Sequence, residues 1–128
     1  MAIERFEDIE AWKRAREVTK KIYEISAIGE FGKDFGLKDQ IRRSSVSIMS
    51  NIAEGFERDG NKEFMNFLSI AKGSCGEARS QLIVACDQGY ISTDRFDQIY
   101  QDLDETGRII GGLMRYIKGS ELRGRKFL

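Results

Sequence analysis

Apolar residues recur along the chain at steps of three and four, and glycines interrupt the pattern at a few places. That stepping is the signature of helices that bury one stripe. The breaks are a glycine-rich stretch at 29–36 (GEFGKDFG), Asp59-Gly60, Gly89 and Gly119. They leave helical segments at about 8–28, 36–57, 61–88 and 93–118, with a basic tail at 119–128. Trp12, Ala15, Val18, Ile22 and Ile25 make the stripe of the first segment. Phe64, Phe67, Ala71, Cys75, Ala78, Leu82 and Ala85 make that of the third. Phe96, Ile99, Leu103, Thr106, Ile110, Leu113 and Ile117 make that of the fourth. Asn61 and Thr93 are suited to cap helix N-termini, and Gly89 to close a C-terminus. Four amphipathic helices with short connections predict an all-α, single-domain antiparallel four-helix bundle running up-down-up-down over 1–128.

The faces away from these stripes carry more information. Ser69, Gly73, Gly76 and Ser80 cluster opposite the apolar stripe of the third segment, where a solvated face would hold Glu and Lys. Each mid-helix glycine costs about 1 kcal/mol relative to alanine. Ile109 and Tyr116 lie a heptad apart, off the main stripe of the fourth segment. Together they predict a second packing surface and a homo-oligomer.

The second segment opens with QIRRSSVSIMSNIAEG, residues 40–55. Its apolar positions span roughly 160° of the helix, wider than one seam requires. Four serines stand within seven residues (Ser44, Ser45, Ser47, Ser50), with Ser45 inside the apolar arc and Ser47 and Ser50 in the opposite one, although serine costs a few tenths of a kcal/mol in a helix. Arg42 falls inside the apolar arc, and Arg43 and Arg58 outside it. Local pairing, a subunit contact and phosphate binding are all open to these arginines. Asp39 can pair with Arg42 or Arg43 and Glu54 with Arg58, or the guanidinium groups can contact phosphates near the helix start.

Composition narrows the function. The chain has 128 residues, with 21 basic and 21 acidic side chains, so no global field draws it to nucleic acid or membrane. The charge is uneven: residues 94–105 hold five acids against Arg95, whereas 108–126 hold six bases against Glu121. That gradient fits a local basic patch, and it also fits the preference of helix C-termini for cations. No apolar run approaches the roughly 20 residues of a membrane span, and the N-terminus lacks a signal-peptide core, so a cytoplasmic protein is expected. Cys75 and Cys86 sit eleven residues apart on one helix, about 16 Å, too far to form a disulfide with each other.

No catalytic constellation emerges. Histidine is absent, which removes the commonest general base and metal ligand, and two distant cysteines build no zinc site. GEFGK at 29–33 lacks the spacing and preceding strand of a phosphate-binding loop. SIAK at 69–72 matches Ser-x-x-Lys only as two residues, and Asp102 with Glu105 lacks a third ligand. A protein that is not an enzyme, with no cofactor and no metal, is the expectation.

The strings FGLKDQIRRSSVSIMSNIAEG, EFMNFLSIAKGSCGEARSQL and GYIS resemble the four-helix-bundle proteins encoded in intervening sequences of bacterial large-subunit rRNA genes. The resemblance runs from about Phe6 to Ile117 and is most specific around Asn51-Ile52-Ala53-Glu54-Gly55. Met49 stands where that family usually has proline, and GSCGEARSQL replaces a more typical Leu-x-Glu-Leu-Glu, with Arg79 in place of an acid. The resemblance implies a homo-oligomer, with a ring of five subunits as the expected assembly, and no established enzymatic activity. A distant relative, the accessory protein of diversity-generating retroelements, is a basic pentamer that binds nucleic acid and partners a reverse transcriptase. The resemblance therefore implies RNA or DNA as a partner, and the residues that would contact it are Arg42, Arg43 and Arg58 with a basic fringe of Arg123, Arg125 and Lys126. The competing expectation is a scaffold that binds another protein without touching nucleic acid.

Overall fold

Ala11, Ala15, Val18, Ile22 and Ile25 form one buried stripe of helix α1 (Glu10–Ile25), and Trp12 packs half-buried beside it. The structure, a computed structural model, describes residues 3–122, with side chains through 119. α1 stops at Ser26, short of the expected residue 28. The Ser26 N–H donates to Ile22 O, and its buried hydroxyl donates to the same carbonyl at 2.6 Å. The glycine-rich stretch is not a plain loop. A single helical turn, α2 (Gly29–Lys33), forms inside it and seats Phe31 fully in the core.

α3 (Phe35–Glu57) begins where Asp34 Oδ1 accepts the Leu37 N–H. Asp34 Oδ2 accepts a hydrogen bond from the Tyr90 hydroxyl at 2.9 Å, and that bond raises the phenol above its ordinary pKa. Tyr90 also stacks on Phe31, so α2 is fastened beneath the turn that precedes the last helix. α4 (Asn61–Asp87) starts after Gly60, whose φ of 85° disfavours any residue with a Cβ. Asn61 is therefore the first helical residue and not the cap. α4 ends as expected at Gly89 (φ 75°): the Gly89 N–H donates to Cys86 O and the Tyr90 N–H to Ala85 O. The cap of α5 (Thr93–Leu122) is Ser92, whose hydroxyl accepts the Arg95 N–H, so Thr93 lies one position inside the helix. α5 runs beyond the expected residue 118, through Gly119.

No strand occurs among the described residues. α3 packs on α1 and α4, and α5 packs on α4 and α1. Partners across each seam run in opposite order: Thr19 with Ser45 and Ser26 with Arg42, Ser44 with Gln81 and Ser47 with Ser74, Arg14 with Glu105 and Lys21 with Asp102. The four long helices thus alternate in direction around a core of Ile22, Ile41, Ile48, Ile52, Phe64, Leu68, Leu82, Ile99, Leu103 and Ile110.

The serine-rich stretch is explained by two close seams. Ser45 is buried, as its place inside the apolar arc implies, and Ser44 is buried with it. Ser44 Oγ donates to Gln81 Oε1 at 2.8 Å, Ser45 Oγ donates to Arg42 O, and Ser47 shares a hydrogen bond with Ser74 at 2.9 Å. A buried hydroxyl left unpaired costs about 1–3 kcal/mol, so these bonds are what allow short polar side chains inside a seam. Val46, at the far edge of the apolar arc, stays exposed. Gly55 completes the α3–α4 seam: a Cβ there would stand 2.6 Å from Phe67 Cβ and 3.1 Å from Phe64 Cδ1. Gly55→Ala is therefore expected to cost about 1–3 kcal/mol through overpacking. Urea denaturation checks it; an unchanged midpoint would show that the seam can open.

Candidate functional site

Arg42 is the best-anchored of the predicted nucleic-acid contacts. Its Nε donates to Ser26 Oγ at 2.8 Å and its Nη2 to Tyr23 O at 3.1 Å, while the guanidinium lies 4.4 Å from the Tyr23 ring centroid. A cation at the last carbonyls of α1 satisfies acceptors that the helix leaves open and complements its dipole. Arg43 pairs with Asp39 at 2.8 Å. Arg58 pairs with Glu54 at 2.8 Å, reaches Glu63 at 3.6 Å, and covers the Phe67 ring. Each α3 arginine thus has partners within its own chain. Arg123, Arg125 and Lys126 lie outside the described residues.

The predicted association residues divide between two surfaces. Ser69, Gly73 and Ser80 are exposed on the outer face of α4, with Gly76 half-buried beside Arg79. A Cβ on Gly73 would meet nothing within 4 Å, so no neighbour in the monomer requires that glycine. Ile70, Ile83 and Val84 share this face and are 52%, 41% and 44% exposed, an apolar content that the spacing of small residues did not reveal. Ile109 and Tyr116 continue the heptad row of Asp102, which pairs with Lys21 of α1. They therefore lie on the flank of α5 toward α1, away from the α4 face.

Between α4 and α5 lies a cleft of about 360 Å³, lined by Lys72, Arg79, Asp104, Gly107, Arg108, Gly111 and Arg115. The two helices create it together. Gly107 and Gly111, one turn apart, contribute no side chain to the α5 wall between Asp104, Arg108 and Arg115. A Cβ on Gly107 would lie 3.6 Å from Cys75 Cβ, and one on Gly111 would lie 3.6 Å from Arg115 Nη1 and 3.7 Å from Lys72 Nζ. Four cations face one carboxylate. Asp104 pairs with Arg108 at 3.1 Å and with Arg79 at 3.8 Å, and Arg79 also lies over Tyr100. Lys72 and Arg115 have no carboxylate within salt-bridge distance among the described residues. Cys75 packs behind Gly107; burial pushes its thiol up to about 12, against the opposing pull of Arg79, so it is a packing group rather than a nucleophile.

Sequence reading met Lys72 only as the lysine of a chance Ser-x-x-Lys match and counted Arg108 and Arg115 only in a charge tally. The available signal was the pair of glycines at 107 and 111 within a basic stretch, but its meaning depends on the register of α5 against α4. Among the described residues no group of three or more His, Cys, Asp or Glu could hold a metal, and no helix is long and apolar enough to cross a membrane.

Residues 7–112 match the family model of the 23S rRNA-intervening sequence protein. The chain belongs to that family. A solved structure of similar fold is a protein of unknown function from the S23 ribosomal protein family of Bacteroides thetaiotaomicron. It aligns with a TM-score of 0.74 at 24% identity, over 81% of this chain and 97% of that one. No curated protein matches the chain. Family membership agrees with the all-helical fold and leaves the chemistry of the cleft to be read from its own residues.

Arg42→Ala removes two charge-assisted hydrogen bonds and a ring contact from the end of α1, and is expected to cost about 1–3 kcal/mol. Amide hydrogen exchange should then show early opening of residues 22–28. Unchanged protection there would show that Arg42 does not hold the α1 terminus.

Proposed function

We propose that this protein is a non-enzymatic, self-associating helical bundle that binds RNA through the cleft between α4 and α5. The observation that carries this reading is local charge. A chain with 21 basic and 21 acidic residues concentrates four cations against Asp104 alone in one concave site. Phosphate neutralisation by Lys and Arg supplies most of the affinity of sequence-independent nucleic-acid binding. The α3 arginines, already paired, contribute secondary contacts at most. The family's rRNA-linked name points to the same class of partner.

Self-association is supported by the exposed face of Ser69, Ile70, Gly73, Ser80, Ile83 and Val84, where small residues let a second backbone approach closely. Because Ile109 and Tyr116 lie on a different flank, contacts joining the two surfaces are head-to-tail, and such contacts form a ring when the rotation between subunits closes. A ring would bring several clefts to one RNA and multiply weak individual contacts.

Anisotropy titration with a structured RNA should give saturable binding at about 50 mM salt. With two to four phosphates neutralised, affinity should fall roughly 7- to 50-fold by about 200 mM. Absence of saturable binding at the lower salt would overturn the RNA reading. Light scattering at micromolar concentration should show a mass above the monomer, and Gly73→Leu should lower that mass without unfolding the chain. A wild-type monomer would refute the association surface.

A further inference from the structure

Lys72 and Arg115 reach one point in the cleft from two helices: each places a nitrogen within 4 Å of where a Gly111 methyl would stand. Neither has a carboxylate within salt-bridge distance among the described residues. Like charges held together in a concave site repel, and an anion seated there turns the repulsion into attraction on both sides. One turn earlier on α5 the arrangement is complementary. Arg79 and Arg108 lie on either side of Asp104, which already supplies an anion next to Gly107. The two glycines are four residues apart, about 6 Å along the helix axis, a spacing of the order of that between successive backbone phosphates.

We infer that the cleft holds two consecutive phosphates of an RNA strand, one clamped by Lys72 and Arg115 over Gly111, the other taken by Arg79 and Arg108 when they release Asp104. This rests on the RNA-binding reading and specifies its register. Asp104 then acts as an internal competitor, a carboxylate occupying the second phosphate position while RNA is absent. The glycines keep side chains out of the space that the phosphate oxygens need. The contact is to backbone groups alone, so it positions a strand without reading its bases.

Three variants of the full chain test this with a labelled single-stranded RNA oligonucleotide across a salt series. Gly111→Ala puts a methyl at ordinary contact distances of 3.6–3.8 Å from its neighbours, so folding should be retained while affinity falls about tenfold. Lys72→Gln should weaken binding and reduce the slope of log K against log salt by about 0.7, the share of one phosphate contact. Asp104→Asn should do the reverse, raising affinity about two- to fivefold and steepening the slope, since it frees two exposed ion pairs. Thermal unfolding of each variant is measured alongside. If Gly111→Ala lowers the melting temperature, Lys72→Gln and Asp104→Asn, both at exposed or half-exposed side chains, decide the matter. Saturable wild-type binding with all variants unchanged would overturn the two-phosphate cleft and leave RNA binding to another surface. A weaker Asp104→Asn complex would overturn the competitor role. Failure of the wild type itself to bind would remove the RNA reading along with the cleft.

Discussion

The close approach of α3 to both of its neighbours is the constraint on which the rest of this bundle depends. It is built from side chains of minimal size: Ser44, Ser47, Ser74 and Gly55 on the α4 side, Ser45 against Thr19 on the α1 side. Close packing gives dense dispersion contact, but it also removes water from every polar group in the seam. The hydroxyls answer this by bonding to one another, to Gln81 and to helix carbonyls. With α3 fixed in this way, the registers of α4 on α3 and of α5 on α4 follow, and with them the position of the cleft.

The cleft shows how a chain of zero formal charge can still present a strongly basic site. Elsewhere on the surface many of the charges form pairs, such as Arg14 with Glu10 and Glu105, Lys21 with Asp102, Arg43 with Asp39 and Arg58 with Glu54. Exposed pairs of this kind contribute little to stability, but they cancel long-range field. Between α4 and α5 that cancellation fails, because Asp104 is outnumbered and the glycines leave a hollow where field lines concentrate. The small-residue face of α4 borders this hollow, so the two proposed surfaces share a helix without sharing residues.

Fold class and the four long helices were legible in the sequence because a three-four apolar rhythm with glycine breaks has few alternative readings. The single turn of α2 was not, since five residues around two glycines carry no periodicity and their helix depends on the core's demand for Phe31. The N-caps shifted by one residue for a local reason: a positive φ at Gly60 and the hydroxyl of Ser92 decide those termini, and neither follows from propensity alone. Arg42 looked displaced in an apolar arc, and its purpose emerged only when α1 ended alongside it. The cationic cleft depended on distances between residues far apart in the chain, such as Lys72 and Arg115. No local pattern encodes such a relation.

Asp34 gives the bundle a property that its glycine-rich surroundings would not suggest. One carboxylate oxygen starts α3, and the other holds the hydroxyl that follows the end of α4. Opening of the short α2 segment therefore cannot be a private event of residues 29–33. To move away it must expose Phe31, break its stack with Tyr90 and disturb the same side chain that caps α3. The most loop-like part of the sequence is thereby drawn into the same cooperative unit as two of the long helices, and its fluctuations report on the whole of that end of the molecule.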